Sequence, residues 1–285
     1  MSSSAEAPGL DYDEHFFNAR DGLRLYYRRW RPAGARGAIG LIHGFAEHCG
    51  RYDGLAEVLA DAGWAVAAMD YRGHGQSGGR RAHVDRFDEY LDDCHAFLDE
   101  MAADGLAEQP ILLGHSQGGL IAVRLAESAP ERLSRLVLSS PFIGLAMPVP
   151  APKAWVGRLV ARWLPTLSLA TGLDPAWLTH EQGIVDAYSA DPLVSHRATA
   201  RWFTEVTRAQ QLALQAAEQI ELPLLVLQAG DDRLASPEAT REFFRAAGSA
   251  DKQLEVYEGL YHELFNETER ERVMADLLAW LERYA

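Results

Sequence analysis

Residues 114–118 read Gly-His-Ser-Gln-Gly, and an apolar run at residues 111–113 comes directly before them. A segment rich in alanine and leucine follows, at residues 117–129. A strand before Gly-x-Ser-x-Gly and a helix after it form a nucleophile elbow, a sharp turn that exposes the serine hydroxyl at the strand end. The two glycines fit this turn because a side chain at either position would collide with its neighbours. Ser116 is therefore the predicted nucleophile.

Short apolar runs recur along the rest of the chain, with helical periodicity between them. Strands are predicted at residues 38–42, 65–69, 111–113, 136–138, 224–227 and 254–257, and helices at residues 52–62, 87–101, 117–129, 237–247 and 269–284. This alternation predicts a doubly wound, mostly parallel α/β sheet with helices on both faces. Ahead of these elements, extended runs at residues 15–19 and 23–30 flank Asp21-Gly22, which predicts a β-hairpin.

One connection is too long for a simple crossover, since roughly 80 residues separate the strand that ends near Ser139 from the strand that begins at Leu224. The connection holds four of the seven tryptophans, several prolines and helical patches. Connections of this length usually carry function. We therefore predict a cap at residues 142–207, inserted into a core at residues 11–141 and 208–285, after a disordered lead-in at residues 1–10.

The composition limits the partners and the compartment. The chain has 285 residues and a net charge of −14, so it lacks the basic surface that nucleic acid requires. Two cysteines, Cys49 and Cys94, are too few for a disulfide framework and favour a reducing cytoplasm. The first residues show no secretory signal pattern, and prolines interrupt the longest uncharged stretch, residues 136–152. There is no metal-ligand spacing and no dinucleotide fingerprint, so no cofactor is predicted.

A serine nucleophile needs a histidine that accepts its proton and a carboxylate that orients the histidine. In this topology the chain order is serine, acid, histidine. Asp231 and Asp232 follow the predicted strand at residues 224–227, at the strand end where such sheets build their sites. His262 follows the last predicted strand, residues 254–257, and no other histidine is so placed. Either aspartate fits the acid at this point.

The chemistry also needs an oxyanion hole, two backbone N–H groups aimed at the negative charge that develops on the carbonyl oxygen. The N–H of Gln117 is one candidate, because it lies at the N-terminus of the predicted helix, where the helix dipole adds to its effect. The loop after the strand at residues 38–42 reads His43-Gly44-Phe45, and the Phe45 N–H is the candidate for the second donor.

At four further stretches the sequence resembles the monoacylglycerol lipase and lysophospholipase family of α/β-hydrolases. Residues 43–52 match the family's His-Gly-x-x-Glu-His-x-x-Arg-Tyr loop, and residues 70–77 match its Asp-x-Arg-Gly-His-Gly-x-Ser loop. Residues 185–193, Val-Asp-Ala-Tyr-Ser-Ala-Asp-Pro-Leu, are similar to its cap exit. Residues 257–263, Tyr-Glu-Gly-Leu-Tyr-His-Glu, are similar to its catalytic-histidine loop.

The resemblance assigns roles that the spacing leaves open. The family's Gly-x-x-Asp-Arg pattern falls on residues 229–233, with Ala229 in place of the glycine, and implies Asp232 as the acid and Asp231 as the second choice. Gln117 stands where the family usually has Met, a difference expected to affect the pocket wall and to spare the backbone N–H. The resemblance also implies four residues at the polar end that holds a glycerol head group: Glu47, Arg51, His115 and Tyr188.

The resemblance implies an α/β-hydrolase fold with a helical cap, and a serine hydrolase that cleaves esters of long- or medium-chain fatty acids. The expected substrate is a small lipid ester, a monoacylglycerol cleaved to glycerol and free fatty acid through an acyl-enzyme. A lysophospholipase or a carboxylesterase of broad specificity is the alternative within this chemistry. A non-catalytic binding protein is the alternative from another class, and the complete set of triad residues argues against it. The sequence shows no separate device for a peptide amine, which argues against a peptidase.

Residues 154–164 have helical periodicity, with basic side chains opposite an apolar stripe that contains Trp155, Val156, Leu159, Val160, Trp163 and Leu164. Two interpretations stay open. The helix either makes transient contact with a lipid surface and admits acyl chains, or packs on the body as a lid with a solvated basic face. The predicted location is the cytoplasm, with peripheral membrane contact under the first interpretation.

Overall fold

The computed structural model describes residues 10–147 and 159–284 of the chain. Its strands, in chain order, are β1 (Leu10–Asn18), β2 (Arg24–Pro32), β3 (Ala38–Ile42), β4 (Ala65–Asp70), β5 (Ile111–His115), β6 (Arg135–Ser139), β7 (Ser168–Ala170), β8 (Arg197–Thr199), β9 (Leu224–Ala229) and β10 (Lys252–Tyr257). Eight of them form one sheet in the order β1-β2-β4-β3-β5-β6-β9-β10. Only the β1–β2 and β2–β4 pairs are antiparallel. The predicted mostly parallel sheet is confirmed.

The helices are α1 (Asp53–Asp61), α2 (Asp88–Ala103), α3 (Gln117–Ser128), α4 (Gln182–Ala190), α5 (Ala200–Gln215), α6 (Pro237–Ala246) and α7 (Arg270–Glu282). They cover both faces of the sheet. Within β3, Ile39 and Leu41 pack into the core under α1 and α7, whereas Ala38 and Ile42 pack into the core under α2, α3, α5 and α6. A parallel strand buried on both faces reads as a continuous apolar run, which is why the central strands could be predicted. This architecture is that of an α/β-hydrolase.

The N-terminal hairpin is longer than predicted. Strand β1 begins at Leu10, so the last residue of the predicted lead-in belongs to the sheet, and residues 1–9 lie outside the described part of the chain. In the first half of β1, acidic residues alternate with apolar and aromatic ones, so this part of the strand contains no apolar run. In the sheet, Asp11 lies opposite Arg31 and Asp13 lies opposite Arg29, so opposite charges pair across the two strands.

The segment predicted as a cap contains elements that the sequence pattern does not show. Strands β7 and β8 pair antiparallel in a separate two-stranded sheet. Helix α5 begins inside the segment, crosses the predicted boundary at residue 207 without interruption, and buries Trp202, Val206 and Ala213 in the main core. The segment and the core therefore share one continuous helix. That residues 142–207 act as a cap stays a prediction.

The structure describes the state of both cysteines and the length of the helices. Cys49 and Cys94 are both free thiols and both are buried. No helix of residues 10–147 and 159–284 has the length and apolar character needed to span a bilayer.

Candidate active site

Ser116 lies in the turn between β5 and α3, with φ +52° and ψ −117°. A Cβ atom on Gly118 would lie 2.1 Å from the Ile42 carbonyl oxygen, and one on Gly114 would lie 2.4 Å from the Gly118 carbonyl oxygen. Backbone atoms cannot move aside as a flexible side chain can, so a residue larger than glycine would clash at either position. The turn holds Ser116 in a backbone conformation that non-glycine residues rarely adopt, as expected for a nucleophile elbow.

The structure brings three of the predicted side chains together at the carboxyl edge of the sheet. The Nε2 atom of His262 lies 2.8 Å from Oγ of Ser116, and its Nδ1 atom lies 2.7 Å from Oδ2 of Asp232. The other carboxylate oxygen of Asp232 accepts two backbone N–H groups of the following loop, at 2.8 and 2.9 Å. Asp231 is exposed to solvent. Of the two aspartates, the structure places Asp232 on the histidine.

The charge state of His262 is set by two opposing effects. Burial acts to lower its pKa, but the adjacent Asp232 carboxylate, helped by Glu263 and Glu47, raises the pKa of His262 above its ordinary value. The neighbouring His115, whose ring centroid lies 4.8 Å from that of His262, has no such partner. Burial therefore holds the pKa of His115 well below its ordinary value, and this side chain is neutral. His262 is thus the histidine of the pair that can take up a proton.

The two predicted oxyanion donors belong to segments next to Ser116, since Gln117 follows it at the start of α3 and the loop with Phe45 passes beside it. Within residues 10–147 and 159–284, neither the Phe45 N–H nor the Gln117 N–H donates to another backbone group. The loop that carries Phe45 passes beside the nucleophile, because a Cβ atom on Gly44 would lie 3.2 Å from the Cβ atom of Ser116. That these two N–H groups form the oxyanion hole stays a prediction.

The four residues expected at the polar end lie close together, but they do not have equal access. Glu47, His115 and Tyr188 line the cavity in front of Ser116, whereas Arg51 lies behind this wall. The Arg51 guanidinium donates to Glu47 at 2.7 Å and packs on the Tyr188 ring at 4.9 Å. The structure therefore brings the four residues close together, while the Arg51 N–H groups donate to carboxylates. That they bind a glycerol head group stays a prediction.

Glu263 belongs to this cluster and was missed at the sequence level. Its two carboxylate oxygens accept from Arg51 at 2.5 and 2.7 Å. Burial acts to raise the pKa of Glu263, but Arg51 outweighs burial and lowers it, whereas burial prevails at Glu47 and raises its pKa. The sequence feature that could have indicated Glu263 is its position directly after His262, in the stretch that resembles the family's catalytic-histidine loop. That feature could not reveal a partner 212 residues earlier in the chain.

The site opens into a cavity of about 770 Å³. Ser116, His262, Glu47 and Glu263 contribute polar groups to its lining. The rest of its wall is mainly apolar and includes Phe142, Leu145, Leu173, Trp177, Trp202 and Val206. The Gln117 side chain does not line the cavity, so it does not itself form part of the pocket wall. Its Oε1 atom instead accepts from Nε1 of Trp202 at 2.9 Å. Among the described residues, no group of His, Cys, Asp and Glu side chains could hold a metal ion.

Comparisons with known proteins show the family to which the chain belongs. A family described as serine aminopeptidase, S33, matches residues 33–269. A monoacylglycerol lipase of Mycolicibacterium smegmatis is 35% identical over 94% of this chain and 96% of its own length. The phospholipase YtpA of Bacillus subtilis is 33% identical over 90% of this chain and 98% of its own length. The chain belongs to the monoacylglycerol lipase and lysophospholipase family of α/β-hydrolases.

A solved structure supports the same assignment. The crystal structure of a monoacylglycerol lipase of Paleococcus ferrophilus superposes with a TM-score of 0.83 and 32% identity, covering 96% of this chain and 100% of that chain. The similarity therefore extends over the core and the inserted segment alike. As a member of this lipase family the chain is a hydrolase, and the nature of its substrate rests on the site itself.

Proposed function

We propose that the protein is a serine ester hydrolase that cleaves monoacylglycerol to glycerol and a free fatty acid. The observation that carries this proposal is the arrangement of the cavity. Ser116 and His262 line the cavity, its mainly apolar wall fits an acyl chain, and Glu47 and Glu263 line it near the nucleophile, where they can receive a head group. The names of the similar lipases support the same substrate class.

The proposed reaction proceeds through an acyl-enzyme. Oγ of Ser116 attacks the ester carbonyl carbon while Nε2 of His262 takes the hydroxyl proton, and Asp232 stabilises the resulting imidazolium. The Phe45 and Gln117 N–H groups bind the oxyanion of the tetrahedral intermediate. Collapse breaks the ester C–O bond, and His262 returns the proton to the departing glycerol oxygen. Water then attacks the acyl-enzyme by the same proton route and releases the fatty acid.

The charge of the polar cluster favours a glycerol head group over a phosphate. Among the described residues, Arg51 is the cation in contact with Glu47 and Glu263, and it is already bonded to both carboxylates. The cluster therefore has no free cation to offer an anionic phosphodiester, which would be placed close to carboxylates. Arg233 also lines the cavity, but it lies outside this cluster, where it donates to the Tyr261 hydroxyl and packs on the Tyr261 ring. A lysophospholipase is for this reason the second candidate, supported by the similarity to the Bacillus subtilis phospholipase.

We propose in addition that the surface next to the cavity makes transient contact with lipid. Leu159, Trp163 and Leu164 are 45%, 71% and 58% exposed, so these apolar side chains do not pack on the body of the protein. Val160, on the same stretch, lines the cavity, which places this surface at the route of an acyl chain. Residues 154–158 of the predicted amphipathic helix lie outside the described residues. Exposed apolar side chains beside a lipid-sized cavity support the lipid-surface interpretation over a packed lid.

The proposal is tested by initial rates on mono-, di- and triacylglycerol and on lysophosphatidylcholine, all with the same acyl chain, together with an aminoacyl p-nitroanilide. Wild type is compared with Ser116→Ala and with Ser128→Ala, a serine at the far end of α3. Preference for monoacylglycerol, lost only in Ser116→Ala, supports the proposal. Equal rates on all lipids, preference for the lysophospholipid, or turnover of the anilide alone would overturn the substrate assignment.

A further inference from the structure

The Gln117 side chain is fully buried and connects two parts of the site that come from different elements. Its Oε1 atom accepts from Trp202 Nε1 at 2.9 Å, and its Nε2 atom lies 3.2 Å from the Tyr71 hydroxyl oxygen. An indole N–H can only donate, so the amide oxygen must face Trp202 and the NH₂ group must face Tyr71. The Tyr71 hydroxyl therefore accepts from Gln117 and is free to donate elsewhere.

Tyr71 directs its own proton to the oxyanion loop. Its hydroxyl donates to the Gly44 carbonyl oxygen at 2.7 Å, and Nδ1 of His43 donates to the same oxygen at 2.7 Å. That carbonyl belongs to the peptide group whose N–H is on Phe45, and the peptide is planar and trans. In a trans peptide the C=O and N–H bonds point in opposite directions, so a hydrogen bond that fixes the Gly44 carbonyl also fixes the direction of the Phe45 N–H.

Resting on the function proposed above, we propose that the Gln117 side chain is a positioning residue that acts through Tyr71 to hold the Phe45 N–H in the oxyanion hole. Residue 117 then serves both halves of the hole. Its backbone N–H is one donor, and its side chain orients the peptide that carries the other. Preorganised donors stabilise the transition state because they need no reorientation when the charge develops.

Trp202 closes the network from the opposite side. Its indole donates to Gln117, and its ring packs against the Phe45 ring with centroids 4.0 Å apart. The Gly44–Phe45 peptide is therefore held by Tyr71 together with His43, and the Phe45 side chain is held by Trp202. Since Trp202 lies in the first turn of α5 and also lines the cavity, the acyl-binding wall and the oxyanion loop share one side chain.

The test uses variants that remove hydrogen bonds while keeping size. Gln117→Met has a similar length, retains the backbone N–H and loses both side-chain bonds, whereas Tyr71→Phe removes only the hydroxyl and keeps the ring that packs on His43. The matched control is Gln228→Met, another fully buried glutamine, whose Nε2 atom donates to the Ala229 carbonyl oxygen and does not contact the oxyanion loop. Each folded variant is assayed for kcat, KM and inhibition by a trifluoromethyl ketone, which forms an oxyanion on Ser116.

Both single variants are expected to lower kcat by about 10- to 100-fold, less than the complete loss of an oxyanion donor. We expect KM to change little, and ketone inhibition to weaken by the same factor as kcat/KM. In the double variant kcat should be no lower than in the worse single variant, because both act on one peptide. Gln228→Met should retain the wild-type kcat.

Three results would overturn the inference. They are a wild-type kcat in Gln117→Met or in Tyr71→Phe, effects that multiply in the double variant, or a rise in KM with unchanged kcat. If the proposed function itself is wrong, the result is different, because the wild type would then show no turnover that depends on Ser116. Such a result would overturn the function and the inference together.

Discussion

Nδ1 of His262 lies 2.7 Å from Oδ2 of Asp232, and the second oxygen of this carboxylate is held by two backbone N–H groups. The carboxylate is thus fixed on both sides, and its position relative to the histidine is set by the loop after β9. Asp231 is adjacent in sequence but exposed to solvent, with no such contact to His262. This relationship is the basis of the first two predictions.

Asp232→Asn should lower kcat on the order of 10³- to 10⁴-fold, because an amide holds the imidazole in the wrong tautomer and cannot stabilise its positive charge. Asp231→Asn makes the same chemical change one residue earlier, at an exposed position, and should leave kcat near that of wild type. Initial rates on a single ester under saturating conditions measure both. If Asp231→Asn were the more damaging change, the acid would have been assigned to the wrong residue.

The pH dependence follows from the raised pKa of His262. The histidine must be neutral to accept the serine proton, so kcat/KM should fall as the pH falls through a pKa above the ordinary value of about 6.5. In Asp232→Asn the main cause of the raised pKa is lost, and burial then lowers the pKa against only the weaker effect of Glu263 and Glu47. The acid limb of the residual activity should then move to lower pH. Profiles of kcat/KM from acid to neutral pH test this, and an unmoved limb would show that Asp232 does not set the pKa.

The buried cation of the polar cluster should matter for stability. Arg51→Met leaves Glu47 and Glu263 buried without their partner and should reduce the free energy of unfolding by about 3–5 kcal/mol. Urea denaturation at neutral pH measures the loss. The companion variant, Arg51→Met with Glu263→Gln, removes one of the two carboxylates and should recover part of it.

The same cluster predicts the sign of the pH effect on the Arg51→Met variant. Without the cation, burial raises the pKa of both carboxylates, and a group whose pKa is raised by folding favours the folded state most at low pH. The deficit relative to wild type should therefore be largest at neutral pH and shrink as the solution is acidified. A deficit that grows in acid would contradict an unpaired buried charge as its cause.

The lipid-contact proposal predicts a separation of two activities. Trp163→Ser with Leu164→Ser should weaken binding to phospholipid vesicles and lower the rate on monoacylglycerol held in those vesicles. The rate on a soluble short-chain ester should stay unchanged, since neither side chain contacts Ser116 or His262. Phe16→Ser, at a position that is 41% exposed on β1, is the matched control. Equal vesicle binding in all three proteins would exclude this surface as the contact.

Much of the core could be predicted because its strands are buried on both faces and its helices have one apolar stripe. The first half of β1 could not, since cross-strand charge pairs such as Asp11 with Arg31 stabilise it and leave no apolar pattern. In α5 the buried residues Trp202, Val206 and Ala213 do follow helical spacing. The sequence does not show, however, that this one helix continues from the inserted segment into the core.

The same distinction applies to the site. Ser116 and His262 could be identified from motif and chain order, because each follows a strand that is itself evident in the sequence. The choice between the two aspartates depends on which side chain turns inward, and spacing alone does not determine this. Glu263 and the side-chain role of Gln117 depend on partners that are distant in sequence, Arg51 and Tyr71, and only the folded chain brings these together.

The backbone of Ser116, with φ +52°, has a consequence for how mutations at this position would be selected. Non-glycine residues avoid this conformation, so Ser116→Gly should relieve strain and raise the melting temperature while abolishing hydrolysis. Stability thus favours glycine at residue 116, whereas hydrolysis requires serine. This is a trade-off between stability and activity. Selection for thermal tolerance alone, without selection for turnover, would be expected to remove the nucleophile.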